Sequence, residues 1–496
     1  MKKFFSISLI LLFAFFIVSC NSNNTNGNED NNHNGDVGDN GDNEDMKPEI
    51  TVLNNLSDYA TEDTNDKLIL SNDVASFEYT SSQPELYVIE DGIGRVNKIE
   101  QKHQKQEVTI TVDVTYNDGT TDQKSKNIVV APIVYPDMNI NPIATYFNAG
   151  ALSKYFPYSN YYQETGEIFS SSVRTELDMV YYAFANPSMD GTVRVGGNQY
   201  ELLKPLKKDN VRVLLVIDGV GKASSDAFWA NTSPSRIDNF VTNIMDLVDE
   251  LGFDGVDIDW EPFNGGVDKN QMDELMRKLR SEMDERQDEG GTPYILTTAL
   301  PGSGVQLATW YNINNIAEVA DYINFMTYDF HHSTTLTHVT PVSKVVELID
   351  YLKRVDFPLN KAIMGSGTYG KAYKVDQLGV DNPVNKTGKL TLISEVEPQG
   401  SFTSGTLYYQ AIEELMKNPS YVENHVYNGD QLVGSYLYNK DEGIYITFES
   451  ETSAKAKMDL IHQYPGMGIM QWSFAQDANN IIINHFIITR LLNQSQ

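Results

Sequence analysis

The chain has 496 residues and a formal net charge of −31 at pH 7, with a pI near 4.5. That length exceeds one ordinary core, so two or more domains are expected, one large enough to enclose an enzyme site. The acidity disfavours nucleic acid and anionic lipid surfaces as partners, since both select clustered Lys and Arg, and suits a neutral or cationic substrate better. The single cysteine excludes an intrachain disulfide and any redox or zinc–thiolate pair.

Lys2 and Lys3 precede an apolar run from Phe4 to Val18, shorter than the roughly 20 residues that span a bilayer. Residues 1–20 therefore read as an export signal. Ile17-Val18-Ser19-Cys20 resembles the lipobox of bacterial lipoproteins, which implies that Cys20 is lipidated and becomes the new N-terminus. Residues 21–47 are Asn, Asp, Gly and Glu with hardly an apolar side chain, and read as a disordered acidic linker. Asp36, Asp39 and Asp42 within it lack the ligand order of a calcium loop. Acidic stretches of this kind accompany surface display in some lipoproteins. The chain is thus expected to be exported and lipid-anchored to the cell envelope, at the outer membrane or cell surface, and to meet membrane only through that anchor.

Residues 48–136 contain short β-rich runs: Ile50 to Leu53, Lys67 to Leu70, Leu86 to Ile89 and Val108 to Tyr116. Val108, Ile110, Val112 and Val114 alternate, Asn117-Asp118-Gly119 supplies a hairpin turn, and a return run reaches Val130. The segment reads as a small all-β sandwich and resembles bacterial immunoglobulin-like modules. With no aromatic platform evident for sugar, the expected role is that of a spacer.

Residues 140–496 alternate apolar runs with amphipathic stretches, the pattern of successive βα units. Candidate strands are Ile143 to Phe147, Met179 to Phe184, Val211 to Ile217, Phe253 to Trp260, Ile295 to Ala299, Tyr322 to Thr327, Ala362 to Gly365 and Met467 to Trp472. Eight such units predict an α/β fold of (β/α)8 TIM-barrel type, interrupted by an insertion of about sixty residues at about 374–435. One helix is expected to start with Ser233 as N-cap and Pro234 in its first turn, and to stop at Gly252.

Phe253-Asp254-Gly255-Val256-Asp257-Ile258-Asp259-Trp260-Glu261 alternates acids with apolar residues. Period two in a strand puts Asp257, Asp259 and Glu261 on one face and Val256, Ile258 and Trp260 on the other. In a parallel barrel the acids then line the lumen near the C-terminal mouth. Such neighbours repel, so Asp257 and Asp259 are expected to share a proton and Glu261 to be raised into the range of a working acid.

Asp254-x-x-Asp257-x-Asp259-x-Glu261 resembles the signature of family-18 glycoside hydrolases, the chitinase family. Met326-Thr327-Tyr328-Asp329 is similar to the family's sixth-strand motif, Tyr146-Phe147 to its first strand and Tyr182-Ala183-Phe184-Ala185 to its second. Trp472 stands where the family has the tryptophan that floors the scissile sugar's subsite, Gly365 to Tyr373 resembles the seventh strand and its exit, and the insertion at about 374–435 is similar in position to the small α+β insertion that walls the cleft in many chitinases.

The resemblance implies cleavage of a polymer carrying N-acetylglucosamine, with Glu261 as proton donor, Asp259 and Asp257 as its partners and Tyr328 as a donor to the substrate. It implies substrate contacts from Trp472, Met326, Asp329, Tyr146 and Phe184, a bracing role for Asp254 and Gly255, and no metal or organic cofactor. His331 and His332 lack partners at ligand spacing and read as loop or subsite residues. Two departures stand out: Val216 and Asp218 replace the family's Ser-x-Gly-Gly on strand three, and Lys371 stands where many chitinases have Arg. An endo-β-N-acetylglucosaminidase acting on N-glycan cores, and a non-catalytic glycan-binding protein, remain as alternatives.

Overall fold

The computed structural model describes residues 51–262 and 266–495. The expected signal peptide with Cys20 and the acidic linker lie outside the described residues.

Seven strands form the N-terminal region: β1 (Tyr59–Ala60), β2 (Asp66–Lys67), β3 (Ala75–Ser81), β4 (Tyr87–Glu90), β5 (Ile93–Val96), β6 (Gln106–Tyr116) and β7 (Thr121–Val130). They make a four-stranded sheet, ordered β1-β7-β6-β3, and a three-stranded sheet, ordered β2-β5-β4. The Asn117–Gly119 turn is present, with Gly119 at φ +85°, and β6 and β7 pair from Gln106↔Val130 to Thr115↔Thr121. The β-rich run at Ile50 to Leu53 is instead a 3-10 turn over Val52–Asn55, which buries Val52 together with Leu56. β3 was missed by pattern reading although Ala75, Phe77 and Tyr79 alternate inward along it.

The remainder is a closed barrel. Its parallel strands are β8 (Ile143–Asn148), β9 (Met179–Pro187), β11 (Arg212–Gly219), β12 (Gly255–Trp260), β13 (Ile295–Pro301), β14 (Tyr322–Met326), β15 (Ala362–Gly367) and β22 (Gly468–Trp472), while β10 (Val193–Val195) is a short antiparallel addition to β9. Closure comes from β8, which pairs with both β9 and β22. All eight expected strands are found, with ends moved by one to three residues. The outward residues of β12, Val256, Ile258 and Trp260, join the apolar layer under helices such as Ile237–Leu251. That helix ends at Gly252 in the left-handed conformation as expected, but it begins later than Ser233. The Ser233 hydroxyl donates back to Ala230 instead of capping, and Arg236 takes the N-cap position.

Between β15 and the helix Glu451–Ile461 lies a six-stranded antiparallel sheet: β16 (Tyr369–Val375), β17 (Gly388–Leu390), β18 (Thr406–Tyr408), β19 (Val422–Asn428), β20 (Gln431–Asn439) and β21 (Ile444–Phe448). The insertion therefore runs wider than 374–435, because its framing strands β16 and β21 pair with each other. Its base is joined to the barrel by a fully buried ion pair, Lys457 with Glu449. Glu449 also accepts from Ser366 on β15 and from Ser453, and Lys457 donates to Thr340 Oγ1 at 2.6 Å.

Candidate active site

β12 carries the carboxylates to the C-terminal mouth of the barrel. It can do so only because Gly255 starts the strand: a Cβ there would lie 1.9 Å from the Ile295 carbonyl of β13. Asp257 is fully buried in the lumen. It accepts hydrogen bonds from Thr297 Oγ1 (2.6 Å), Tyr146 Oη (2.7 Å) and Asn324 Nδ2 (3.1 Å). Burial pushes its carboxyl up to about 6, and these three donors limit the rise.

Asp259, one inward position further along β12, has an Oδ1 that is buried without a hydrogen-bond partner. Burial, followed by the charges of Glu261, Asp257 and Asp218, pushes its carboxyl well above the ordinary range. Glu261 follows the end of the strand and is raised by burial and then by Asp329 and Asp218. Ionising either Asp259 or Glu261 makes the other harder to ionise, so the two lose their protons in coupled steps at higher pH than isolated carboxyls would.

These groups face a cavity of about 430 Å³, lined also by Tyr328, Asp329 and Met326 from β14 and its exit, and by Tyr146, Phe184 and Trp472. No Lys, Arg or His lines it among the described residues. Trp472 lies 5.3 Å from Tyr146 and 5.9 Å from Phe184 between ring centroids, an aromatic floor. Tyr328 is held under β15 because Gly365 leaves room; a Cβ there would come within 2.7 Å of its ring. Asp329 adopts a left-handed backbone, φ +59°, and accepts from Tyr369 Oη at 2.6 Å.

Every residue expected at the mouth reaches this cavity except Asp257, which lies beneath it; Asp254 and Gly255, expected to brace, belong to the opposite end of β12. Tyr146 does double duty: it lines the cavity and holds Asp257. Sequence reading missed Thr297 and Asn324, which complete the support of Asp257, and Tyr369, which holds Asp329. The first two carried a signal, as polar residues interrupting the apolar runs Ile295–Ala299 and Tyr322–Met326. Tyr369 lay within the segment resembling the family's seventh strand and its exit, which did not disclose its contact with Asp329.

The departures from the family pattern are resolved locally. Val216 stands opposite Asp257 and is buried in apolar surroundings, so it supplies no hydroxyl; Thr297, Tyr146 and Asn324 provide the donors. Asp218 stands opposite Asp259 in register. It accepts from Ser224 Oγ (2.6 Å) and the Val220 amide (3.0 Å), so it is fixed by its own loop and acts on the ladder through charge. Lys371 donates to Thr406 Oγ1 at 2.8 Å within the insertion. His331 Nδ1 sits 3.7 Å from Asp329, and no group of three or more His, Cys, Asp or Glu among the described residues is arranged to hold a metal ion.

A family model described as glycosyl hydrolases family 18 matches residues 152–477. Mouse chitotriosidase-1 is 27% identical over 347 residues, covering 64% of this chain and 70% of that protein. Endochitinase 1 of Metarhizium robertsii is 24% identical over 343 residues, covering 61% and 76%. Among solved structures, a class V chitinase from Nicotiana tobaccum superposes with a TM-score of 0.59 at 19% identity, covering 70% of this chain and 98% of that one. A Cycas revoluta chitinase in complex with (GlcNAc)3 gives 0.57 at 20% identity, covering 70% and 99%. These structural likenesses establish the barrel fold.

Proposed function

The chain belongs to glycosyl hydrolase family 18, and from that premise we propose that it hydrolyses β-1,4-linked N-acetylglucosamine polymers, chitin or chitooligosaccharides, with retention of configuration. The observation that carries this is that Asp259 and Glu261 open into one cavity directly above the buried Asp257, over an aromatic floor. Asp259 on β12 and Glu261 just past its end line the same cavity, and so address the same side of a bound sugar. Neither attacks from the far side, and a substrate-assisted route fits where the ordinary two-carboxylate schemes do not.

Glu261, kept protonated by burial and its acidic neighbours, donates to the glycosidic oxygen. The unpartnered Asp259 Oδ1 accepts the N–H of the sugar's 2-acetamido group, and Tyr328 donates to its carbonyl. The acetamido oxygen attacks the anomeric carbon as the leaving sugar departs. Water then opens the oxazolinium ion, with Glu261 taking the water's proton. Asp257, within its three donors, exchanges a proton with Asp259 as the demand on that carboxylate changes. Trp472 and Phe184 stack on the sugar, and Met326 and Asp329 complete the subsite.

The relatives named chitotriosidase and endochitinase support chitin-type substrates over N-glycan cores. Wild type and Glu261→Gln assayed on chitooligosaccharides and on a high-mannose glycopeptide test the reading. Turnover of the oligosaccharides by wild type and its loss in the variant are expected. Turnover of the glycopeptide alone would replace chitin by N-glycan cores, and no turnover of either would leave a glycan-binding protein.

The same proposal covers the N-terminus: export, lipidation at Cys20 and an immunoglobulin-like fold for the all-β region, supported by the basic start, the apolar run to Val18 and the two-sheet architecture. Metabolic labelling with a radioactive fatty acid should mark wild type and not Cys20→Ala.

A further inference from the structure

Asp254, the first acid of the signature, is almost fully buried, yet it lies at the base of β12, far from the sugar cavity. Its Oδ2 accepts the Val213 amide of β11 at 2.8 Å, and its own amide and carbonyl bond Val213 and Ile295. Its Oδ1 accepts from Tyr135 Oη at 2.9 Å and has His103 Nε2 at 3.4 Å and Lys207 Nζ at 3.8 Å. His103 belongs to the all-β region and Tyr135 to the segment leaving it. Burial pushes the Asp254 carboxyl up, but Lys207, His103 and the Val213 amide outweigh this and hold it below the ordinary aspartate value.

The contact does not stop at one carboxylate. His103 Nδ1 donates to the Thr292 carbonyl at 2.6 Å, and its ring lies 4.0 Å from that of Tyr294. Gln104 donates to Tyr294 Oη at 2.6 Å, and the Lys105 amide to Asp288 at 2.7 Å. The Thr292 amide bonds the Ile133 carbonyl, and Thr292 Oγ1 receives the Tyr135 amide at 2.8 Å. Lys207 donates to the Gln101 carbonyl at 3.3 Å. His103, Gln101 and Lys207 are each only 2% exposed. A tethered spacer has no need to bury charged and polar groups this deeply, where every lost partner is costly.

The strands gripped are the chemical ones. The hold falls on β11, β12 and the loop leading into β13, which carry Asp218, the Asp257–Asp259–Glu261 ladder and Thr297. Trp472, Phe184 and Met326 stand on β22, β9 and β14, where none of the hydrogen bonds just named from His103, Gln104, Lys105 and Tyr135 ends.

We infer that the N-terminal all-β region is a positioning element of the active site, in which His103 and Tyr135 grip Asp254 and the β13 entry loop and so fix β12 against β13. This inference rests on the proposed glycosidase reading for its kinetic consequence only. A loosened base misaligns the acid ladder while leaving the aromatic floor in place, so kcat falls and KM does not.

Full-length His103→Ala and Tyr135→Phe test this, assayed well below their melting temperatures, with His103→Asn as the rescue because its amide can still donate to the Thr292 carbonyl. We expect kcat on chitooligosaccharides to fall about threefold to tenfold in His103→Ala, KM to stay within about twofold, and His103→Asn to recover most of the loss. In a second arm, a protease site inserted between Pro136 and Asp137 is cut in the folded protein. The two fragments should co-elute in size exclusion. Separation of the fragments, or unchanged kcat in both His103→Ala and Tyr135→Phe, would overturn the inference. Should wild type turn over no substrate, the glycosidase reading fails. The inference is then judged by co-elution and by faster amide exchange over residues 287–297 in His103→Ala, and unchanged exchange there overturns it.

Discussion

Replacing Asp257 by Asn removes one charge from the centre of the barrel, and its effect on stability can be sized. In the folded protein the Asp257 carboxyl is pushed up to about 6 by burial, whereas an unfolded chain holds it near the ordinary aspartate value of about 3.9. The folded state therefore keeps this proton longer than the unfolded state does. Stability from this group is fully present below about pH 4 and is lost as pH rises to about 6. The displacement of roughly two pH units, at 1.36 kcal/mol each, amounts to about 3 kcal/mol at pH 7 and above. Asn cannot ionise, and its oxygen still accepts from Thr297 and Asn324 while its amide faces the Tyr146 oxygen, so little packing changes. Urea unfolding of wild type and Asp257→Asn at pH 4 and pH 7.5 measures the difference. Because the unfolded carboxyl is already half ionised at pH 4, the variant should gain about 2.5 kcal/mol more over wild type at the higher pH, while its turnover falls for want of proton exchange with Asp259. A stability difference that is the same at both pH values, or that favours wild type more at pH 7.5, would refute the electrostatic account of the ladder.

Glu261→Gln should lower kcat by roughly 10²- to 10⁴-fold, the usual worth of a positioned acid–base group, with KM little changed, as steady-state kinetics on a chromogenic chitooligosaccharide would show. Glu261 must be protonated to act, and its raised carboxyl owes part of its position to Asp218; activity is lost as pH rises through that value. Asp218→Asn should therefore move the alkaline limb of the kcat/KM profile to lower pH, and a shift to higher pH would contradict the charge argument. Lys457→Met leaves Glu449 charged and buried, so thermal or urea unfolding should report a loss of about 3 to 5 kcal/mol, with the insertion's link to β15 the weakened contact.

The two parts of the chain were legible to different degrees. In the barrel, each strand is a short apolar run bounded by turn signals, and burial on both faces leaves that signature in the residues themselves. The N-terminal region was harder. β5 is only four residues long and contains Gly94 and Arg95, and Val52–Asn55 has β-type composition but curls into a turn to bury Val52 beside Leu56. The helix start at Ser233 was misread because a Ser-Pro pair signals a helix entrance equally well when the serine hydroxyl turns back to Ala230.

What the sequence determined by itself is the ladder. A strand's period of two places Asp257 and Asp259 on one face with Glu261 following at the strand's end, and one buried face forces their mutual repulsion. What only the tertiary structure decided is which groups surround that ladder. Tyr146 and Asn324 reach Asp257 across 111 and 67 residues of chain, and Tyr135 reaches Asp254 across 119. No local pattern encodes such pairings, because barrel closure and the packing of the all-β region against its base bring them together. The same closure set the two ends of one motif to different tasks: Glu261 opens onto the cavity, and Asp254, seven residues earlier, anchors the strand that carries it.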